Sequence, residues 1–197
     1  MRRKQSEVID PKEIARILNH ALIGRMATTG ADGYPYVTPV NYVYFKGNIY
    51  FHCAPKGEKL DNLAADPRVC FEVDIPLSYW DVAFDPGRPI CHLHQFYHCV
   101  IIRGTASVVE DSSLKIDALN ALIRKHEPNT EFNPVTPDMP LAKACHVIEI
   151  KPISISAKSD LAQKHPDETK KKIAQYFHKR NHGHDRETAK ALGFEFK

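Results

Sequence analysis

The sequence predicts a mainly β protein, a small six-stranded antiparallel barrel with peripheral α-helices. Three observations carry this reading. Six segments have strand character, at residues 22–28, 34–45, 49–53, 68–74, 99–110 and 145–156. The turns Gly30-Ala31-Asp32-Gly33 and Lys46-Gly47-Asn48 are too short for crossover connections, so the early strands form an antiparallel meander. Closing such strands into a barrel removes exposed sheet edges.

Each element has a local reason. Asp10-Pro11-Lys12-Glu13 opens a helix: Asp10 caps, Pro11 suits the first turn, and Glu13 has capping-box spacing. Ile14, Ile17, Leu18 and Ala21 then share one apolar face. Pro35 and Pro39 push parts of the second strand to a sheet edge or a bulge. A short helix at 57–65 stops before Asp66-Pro67. Residues 75–97 carry Pro76, Pro86, Gly87 and Pro89 and read as irregular. A helix over 113–126 presents Leu114, Leu119, Leu122 and Ile123, and a proline-rich connector leads to the last strand. After Ala157 the character changes. Ile173, Tyr176 and Phe177 follow Lys170-Lys171-Lys172 at helical spacing, His182-Gly183-His184 interrupts, and a short helix at 187–192 follows. Two readings of this basic, partly helical extension stand: a solvated tail with one docked helix, or an arm that clasps a partner across a dimer.

Composition narrows the function classes. The chain has 197 residues and a formal net charge of +3, too little to point to nucleic acid. It contains no apolar run of membrane-spanning length. Its start lacks the apolar stretch of a secretion signal, so a cytoplasmic protein is expected. Five cysteines, odd in number and irregularly spaced, read as reduced thiols.

The stretch Phe51-His52-Cys53-Ala54-Pro55-Lys56-Gly57-Glu58-Lys59 raises a chemical question. It places two lysines where a helix begins, the end that prefers negative charge. Leading helical amides lack intrahelical acceptors and bind anions, phosphate above all. Lys56 and Lys59 become favourable once a dianion sits there, and Gly57 lets the backbone approach closely. His52 and Cys53, at the strand end, could add contacts. The alternative is a pair of ordinary surface lysines.

The neighbourhood of that stretch, PYVTPVNYVYFKGNIYFHCAPKGEKLDNLAADPRVCFEVD, resembles the nitroimidazole-resistance (Nim) branch of the FMN-binding split barrels, within the pyridoxamine 5'-phosphate oxidase-like superfamily. So do the amino-terminal MRRKQSEVIDPKEIARILNHALIGRMAT and the later RGTASVVEDSSLKIDALNALIRKHE. The resemblance covers residues 1–157 and leaves 158–197 as an extension. It implies a homodimeric split barrel with FMN at the subunit interface and the flavin phosphate at the strand-to-helix join. Lys59 matches the phosphate lysine, whereas Glu58 stands where the family has arginine, with Lys56 in partial compensation. Thr38, Pro39, Val40 and Asn41 match the strand whose backbone borders the flavin ring, with Val40 and Asn41 expected toward its pyrimidine side. On the residues alone, Pro39 merely bends an edge strand. His98 and Cys99 match positions that approach the flavin from across the dimer, with His98 a candidate proton donor and Cys99 lining the pocket. Trp80 either covers the ring or packs in a core.

Cys91-His92-Leu93-His94-Gln95-Phe96-Tyr97-His98-Cys99 is the densest run of ligand-type residues. If extended, His92, His94 and His98 share one face. It reads as a polar active-site rim, as a metal site, or as a source of an axial haem ligand. The resemblance implies an FMN-dependent oxidoreductase passing electrons to a small planar acceptor, a nitro-aromatic one by the family's name. With no GxGxxG fingerprint, the electron donor stays unidentified. The competing readings are a non-enzymatic flavin- or haem-binding protein and a pyridoxamine phosphate oxidase proper, whose basic substrate-binding tail has no close match here.

Overall fold

The computed structural model describes residues 4–87 and 89–196. Residues 1–3, part of the start read above for a leader and for the resemblance, lie outside them. In chain order the elements are β1 (Glu7–Val8), α1 (Pro11–His20), β2 (Ile23–Thr29), β3 (Pro35–Asn41), β4 (Val43–Phe45), β5 (Asn48–Cys53), α2 (Glu58–Ala65), β6 (Arg68–Trp80), β7 (His94–Val108), α3 (Ser112–His126), α4 (Pro140–Ala144), β8 (His146–Asp160), α5 (Asp167–Arg180) and α6 (Asp185–Ala191). The strand order is β3-β2-β6-β7-β8-β5-β4, with β1 pairing β8. The architecture is therefore mainly β and antiparallel, with peripheral helices; among the described residues the sheet has eight strands in place of the six expected.

Two compact units make up the chain. The first comprises Met1–Asp10, Asp74–Cys99 and Ser156–Lys197, and the second Pro11–Val73 and Val100–Ile155. The strands β6, β7 and β8 contribute residues to both.

In the second unit, β2 and β3 form the expected hairpin, in register from Ile23↔Asn41 to Thr29↔Pro35. The expected strand 34–45 divides at Tyr42. Before it β3 pairs with β2, and after it β4 pairs with β5. Tyr42 itself is fully buried, and its hydroxyl donates to the Leu18 carbonyl at 2.6 Å. Asp111 caps α3 by accepting from the amides of Ser113 and Leu114. The helix then packs Ala118 and Leu122 on Val43, Tyr50, Val109 and Val147. Burying a leucine of this kind stabilises the fold by about 1.5–3 kcal/mol. Val109 donates its amide to Val147 O at 2.8 Å, and a Cβ on Gly104 would stand 2.2 Å from Lys151 O. The two contacts fix β7 and β8 in one antiparallel register, and only glycine lets the strands approach this closely at residue 104.

The first unit corrects one expectation. Much of the segment 75–97 is regular strand: β6 runs on to Trp80 and β7 begins at His94. Ile75 and Leu77 are buried while Pro76 between them is exposed, so the proline occupies an outward position that a strand tolerates. The extension is packed. Ile173, Ala174 and Phe177 of α5 are fully buried, and the Phe177 ring meets Phe96 at 5.9 Å. A polar cluster joins α6 to β6: Ser78 donates its amide to Thr188 Oγ1 at 2.8 Å and its hydroxyl to Asp185 at 2.5 Å. Arg180 completes it with a second bond to Asp185, at 2.6 Å, and a short contact to Asp81.

Candidate functional site

The strand-to-helix join lies in the second unit. Along the end of β5, Phe51 and Cys53 are buried and His52 is exposed, as strand alternation requires. His52 and Cys53 therefore leave opposite faces. The chain then turns through Gly57, whose φ of 133° is one that side-chain-bearing residues rarely adopt. A Cβ built there meets nothing within 4 Å, so this side of the backbone is open. No side chain among the described residues caps α2, so its leading amides lack a side-chain acceptor. The helix is anchored from behind by buried Asn62, which donates to Thr28 Oγ1 at 3.0 Å.

Charge at the join is mixed. Lys56 is exposed. Lys59 is half-buried, with Nζ 5.9 Å from the centre of the Phe51 ring. Burial pushes the Cys53 thiol up, and the Lys59 ammonium partly opposes that. Glu58 and Asp61 add acidic groups to the first turn, where they suit the helix dipole but compete with an anion.

The strand β3 stands at one end of the strand order and also lies against β5. Thr38 is half-buried and Val40 buried, whereas Pro39 and Asn41 are exposed. Val40 and Asn41 accordingly leave opposite faces of the strand. Thr38 Oγ1 is buried and has no hydrogen-bond partner among the described residues. An orphaned hydroxyl costs about 1–3 kcal/mol, so it marks a position that an incoming polar group would satisfy.

His98 and Cys99 belong to the first unit. His98 is 4% exposed, and its Nδ1 lies 2.6 Å from Ser159 Oγ. Cys99 is half-buried, and all five cysteines are free. The extended-strand reading of the histidine run holds only from residue 94. Ile90–His92 form a single 3₁₀ turn, so His92 does not share a strand face with His94 and His98. Among the described residues no group of three or more His, Cys, Asp or Glu side chains is placed to hold a metal ion. Trp80 is 2% exposed and packs on Phe84, Phe96 and His165, as a core residue does. Sequence reasoning missed Asp160, which lies 3.4 Å from His94 and 2.9 Å from Lys158, and also missed Gln163 and His165. Only their position in the polar segment after the last expected strand hinted at them.

Several solved structures share this fold. A candidate 5-nitroimidazole antibiotic resistance protein of Bacteroides thetaiotaomicron VPI-5482 superposes with a TM-score of 0.65 and 22% identity, covering 78% of this chain and 86% of its own. The flavocytochrome Anf3 from Azotobacter vinelandii gives 0.66 and 18%, covering 78% and 69%. The FAD and heme binding protein from Mycobacterium smegmatis gives 0.67 and 16%, covering 79% and 73%. At these identities the likeness establishes the fold and no activity. No curated protein sequence matches the chain. Residues 10–159 match the sequence profile of the pyridoxamine 5'-phosphate oxidase family, and the match spans most of the chain. The chain therefore belongs to the pyridoxamine 5'-phosphate oxidase family.

Proposed function

We propose that this protein is an FMN-dependent oxidoreductase that reduces a small planar acceptor and works as a homodimer. The observation that carries the proposal is the join at Gly57: an open backbone, an uncapped helix start, and the ammonium groups of Lys56 and Lys59 beside it. These are the features that a terminal phosphate dianion requires. The residues present fit the cofactor. Gly57, Lys56 and Lys59 would hold its phosphate, and the edge of β3 at Thr38–Asn41, with the orphaned Thr38 hydroxyl, would border its ring. When bound, a flavin supplies electron or hydride transfer that no protein side chain provides. Similar folds in a flavocytochrome and in an FAD and heme binding protein support a flavin. The resemblance to the nitroimidazole-resistance branch supports a nitro-aromatic acceptor.

The chain's own residues have assigned tasks. Cys53 and Phe51 form an apolar wall behind Lys59, which strengthens its attraction to an anion by excluding water. His98, anchored at Nδ1 by Ser159, is assigned the proton transfers, and Cys99 lines the pocket. In the homodimer both would approach the cofactor of the other subunit. Support for a dimer comes from a strip of exposed apolar side chains: Ile101 on β7, beside Ile153 and Ile155 on β8.

The visible absorption spectrum of the purified protein, followed through a redox cycle, tests the proposal. A flavin spectrum that NADH or NADPH bleaches and a nitro-aromatic compound rapidly restores is the expected result. A flavin spectrum restored no faster by the nitro compound than by air would make the protein a flavin binder and not an enzyme. A protein that neither carries nor takes up flavin would overturn the reading.

A further inference from the structure

The polar cluster between the last two helices and the end of β6 is one cation short. Two carboxylates meet there, Asp81 just after β6 and Asp185 at the start of α6. Among the described residues, Arg180 is the one cation paired with either. It holds Asp185 with two nitrogens, at 2.9 and 2.6 Å, and reaches Asp81 with the third. Asp185 is 1% exposed. Burial pushes its carboxyl up, but the Arg180 guanidinium, the Ser78 hydroxyl and the His182 amide hold it below its ordinary value. The groups around the cluster supply no second cation to it. Tyr176 donates to Asp81 at 2.7 Å, His184 pairs with Glu187 on the exposed side, and Arg186 donates to Asn181 at 2.8 Å.

The same arginine ties the helices to each other and to the strand. The helix α5 ends at Arg180, the chain reverses through Asn181 and Gly183, both left-handed, and α6 begins at Asp185. Asp185 and Thr188 then bind Ser78, while Arg180 also donates to Tyr79 O at 3.3 Å. The Arg180 guanidinium lies over the Tyr176 and Phe177 rings, at 5.2 and 4.9 Å. Both helices follow the last strand, so moving them breaks no strand pairing.

We propose that α5 and α6 form a strap that opens from the end of β6 as one piece, and that the charge of Arg180 locks it shut. Removing one partner of a buried ion pair costs far more than the pair contributes, because the other charge stays buried and uncompensated. Loss of Arg180 would leave two such charges. Opening returns both carboxylates to water, and it moves both helices together because the cluster holds both. The strap is made wholly of first-unit residues and does not depend on the flavin reading.

Hydrogen exchange of the full chain, read by mass spectrometry together with Trp80 emission, tests the lock. Trp80 is the only tryptophan in the sequence and packs on Phe84 and Phe96, which meet Tyr176 and Phe177 of the strap at 5.5 and 5.9 Å. In Arg180→Gln at about pH 7, amides of α5 and α6 are expected to exchange at least about tenfold faster, to the same extent in both helices, with Trp80 emission shifted to the red. Amides of β2 and β3 should be unchanged. The pH dependence separates charge from packing. In the wild type the docked Asp185 carboxyl lies below its ordinary value, so docking is complete above the carboxylate range and weakens as pH falls through it. Without Arg180 the docked carboxylates bind protons more readily than the released ones, so docking strengthens as pH falls, and the emission shift should shrink between about pH 7 and about pH 5. Arg180→Gln combined with Asp185→Asn removes one of the two stranded charges and is expected to restore exchange to within about threefold of wild type. Wild-type exchange in Arg180→Gln, faster exchange in only one helix, or an emission shift that does not shrink toward acid would overturn the proposal. If Arg180→Gln does not fold, the double variant decides: near-wild-type exchange supports the lock, and fast exchange or failure to fold overturns it.

Discussion

Lys125 shows how one side chain sets a pH dependence. It lies at the end of α3, donates to Leu18 O at 3.0 Å, and stands 3.5 Å above the centre of the Tyr42 ring. Burial pulls it from an ordinary 10.5 to about 7. Between those two values the unfolded chain carries a proton that the folded chain lacks, so stability rises as pH rises through this window. Below about pH 7 both states are protonated and the cost of the buried charge is fully present. The pH-dependent gain should disappear in Lys125→Met, which keeps the volume and removes the charge. In thermal melts from pH 6 to pH 9, the variant is expected to exceed the wild type most at the acid end, and the gap should close toward the alkaline end. A gap constant with pH would show that Lys125 does not titrate here. Nothing in the sequence revealed this site, because Leu18, Tyr42 and Lys125 meet only through tertiary packing.

At the level of elements, β7 and β8 depend on the close passage of Gly104 past Lys151 O. Gly104→Ala would force backbone against backbone, where no side chain can swing away. A loss of about 1–3 kcal/mol is expected in denaturant unfolding, with a slope like that of the wild type. Wild-type stability in this variant would mean that the strands separate freely at this point. The elements themselves were largely legible. Short turns at Gly33 and Gly47 identified the β2–β3 and β4–β5 hairpins, although the break at Tyr42 sends β3 and β4 to opposite ends of the strand order in place of one meander, and apolar spacing identified α1 and α3. Pro76 hid the continuation of β6, because a proline in a strand cannot be judged until it is known which way its position faces. The same ambiguity applied to His92, which a 3₁₀ turn takes off the strand face that the spacing implied. At the candidate site, Gly57 and the lysines were visible as local chemistry. The orphaned hydroxyl of Thr38 and the Asp160–His94 pair were not, since each depends on neighbours distant in sequence.

For the whole molecule, the dimer proposed above rests on the apolar strip of Ile101, Ile153 and Ile155. Ile153 is 75% exposed, and covering it would remove apolar surface from water. Light scattering after size exclusion should find the wild type dimeric and Ile153→Glu shifted to monomer, since a buried unpaired carboxylate opposes association. A wild type that stays monomeric at micromolar concentration would contradict the proposed dimer. The proposed phosphate site at the start of α2 is tested by comparing FMN with riboflavin in equilibrium titrations of the flavin-free protein. The two ligands share the ring and differ by the phosphate. FMN should bind tighter by at least about tenfold, with most of that advantage lost in Lys59→Ala while riboflavin binding is unchanged. Equal affinity for the two ligands, or an FMN advantage that survives Lys59→Ala intact, would contradict it.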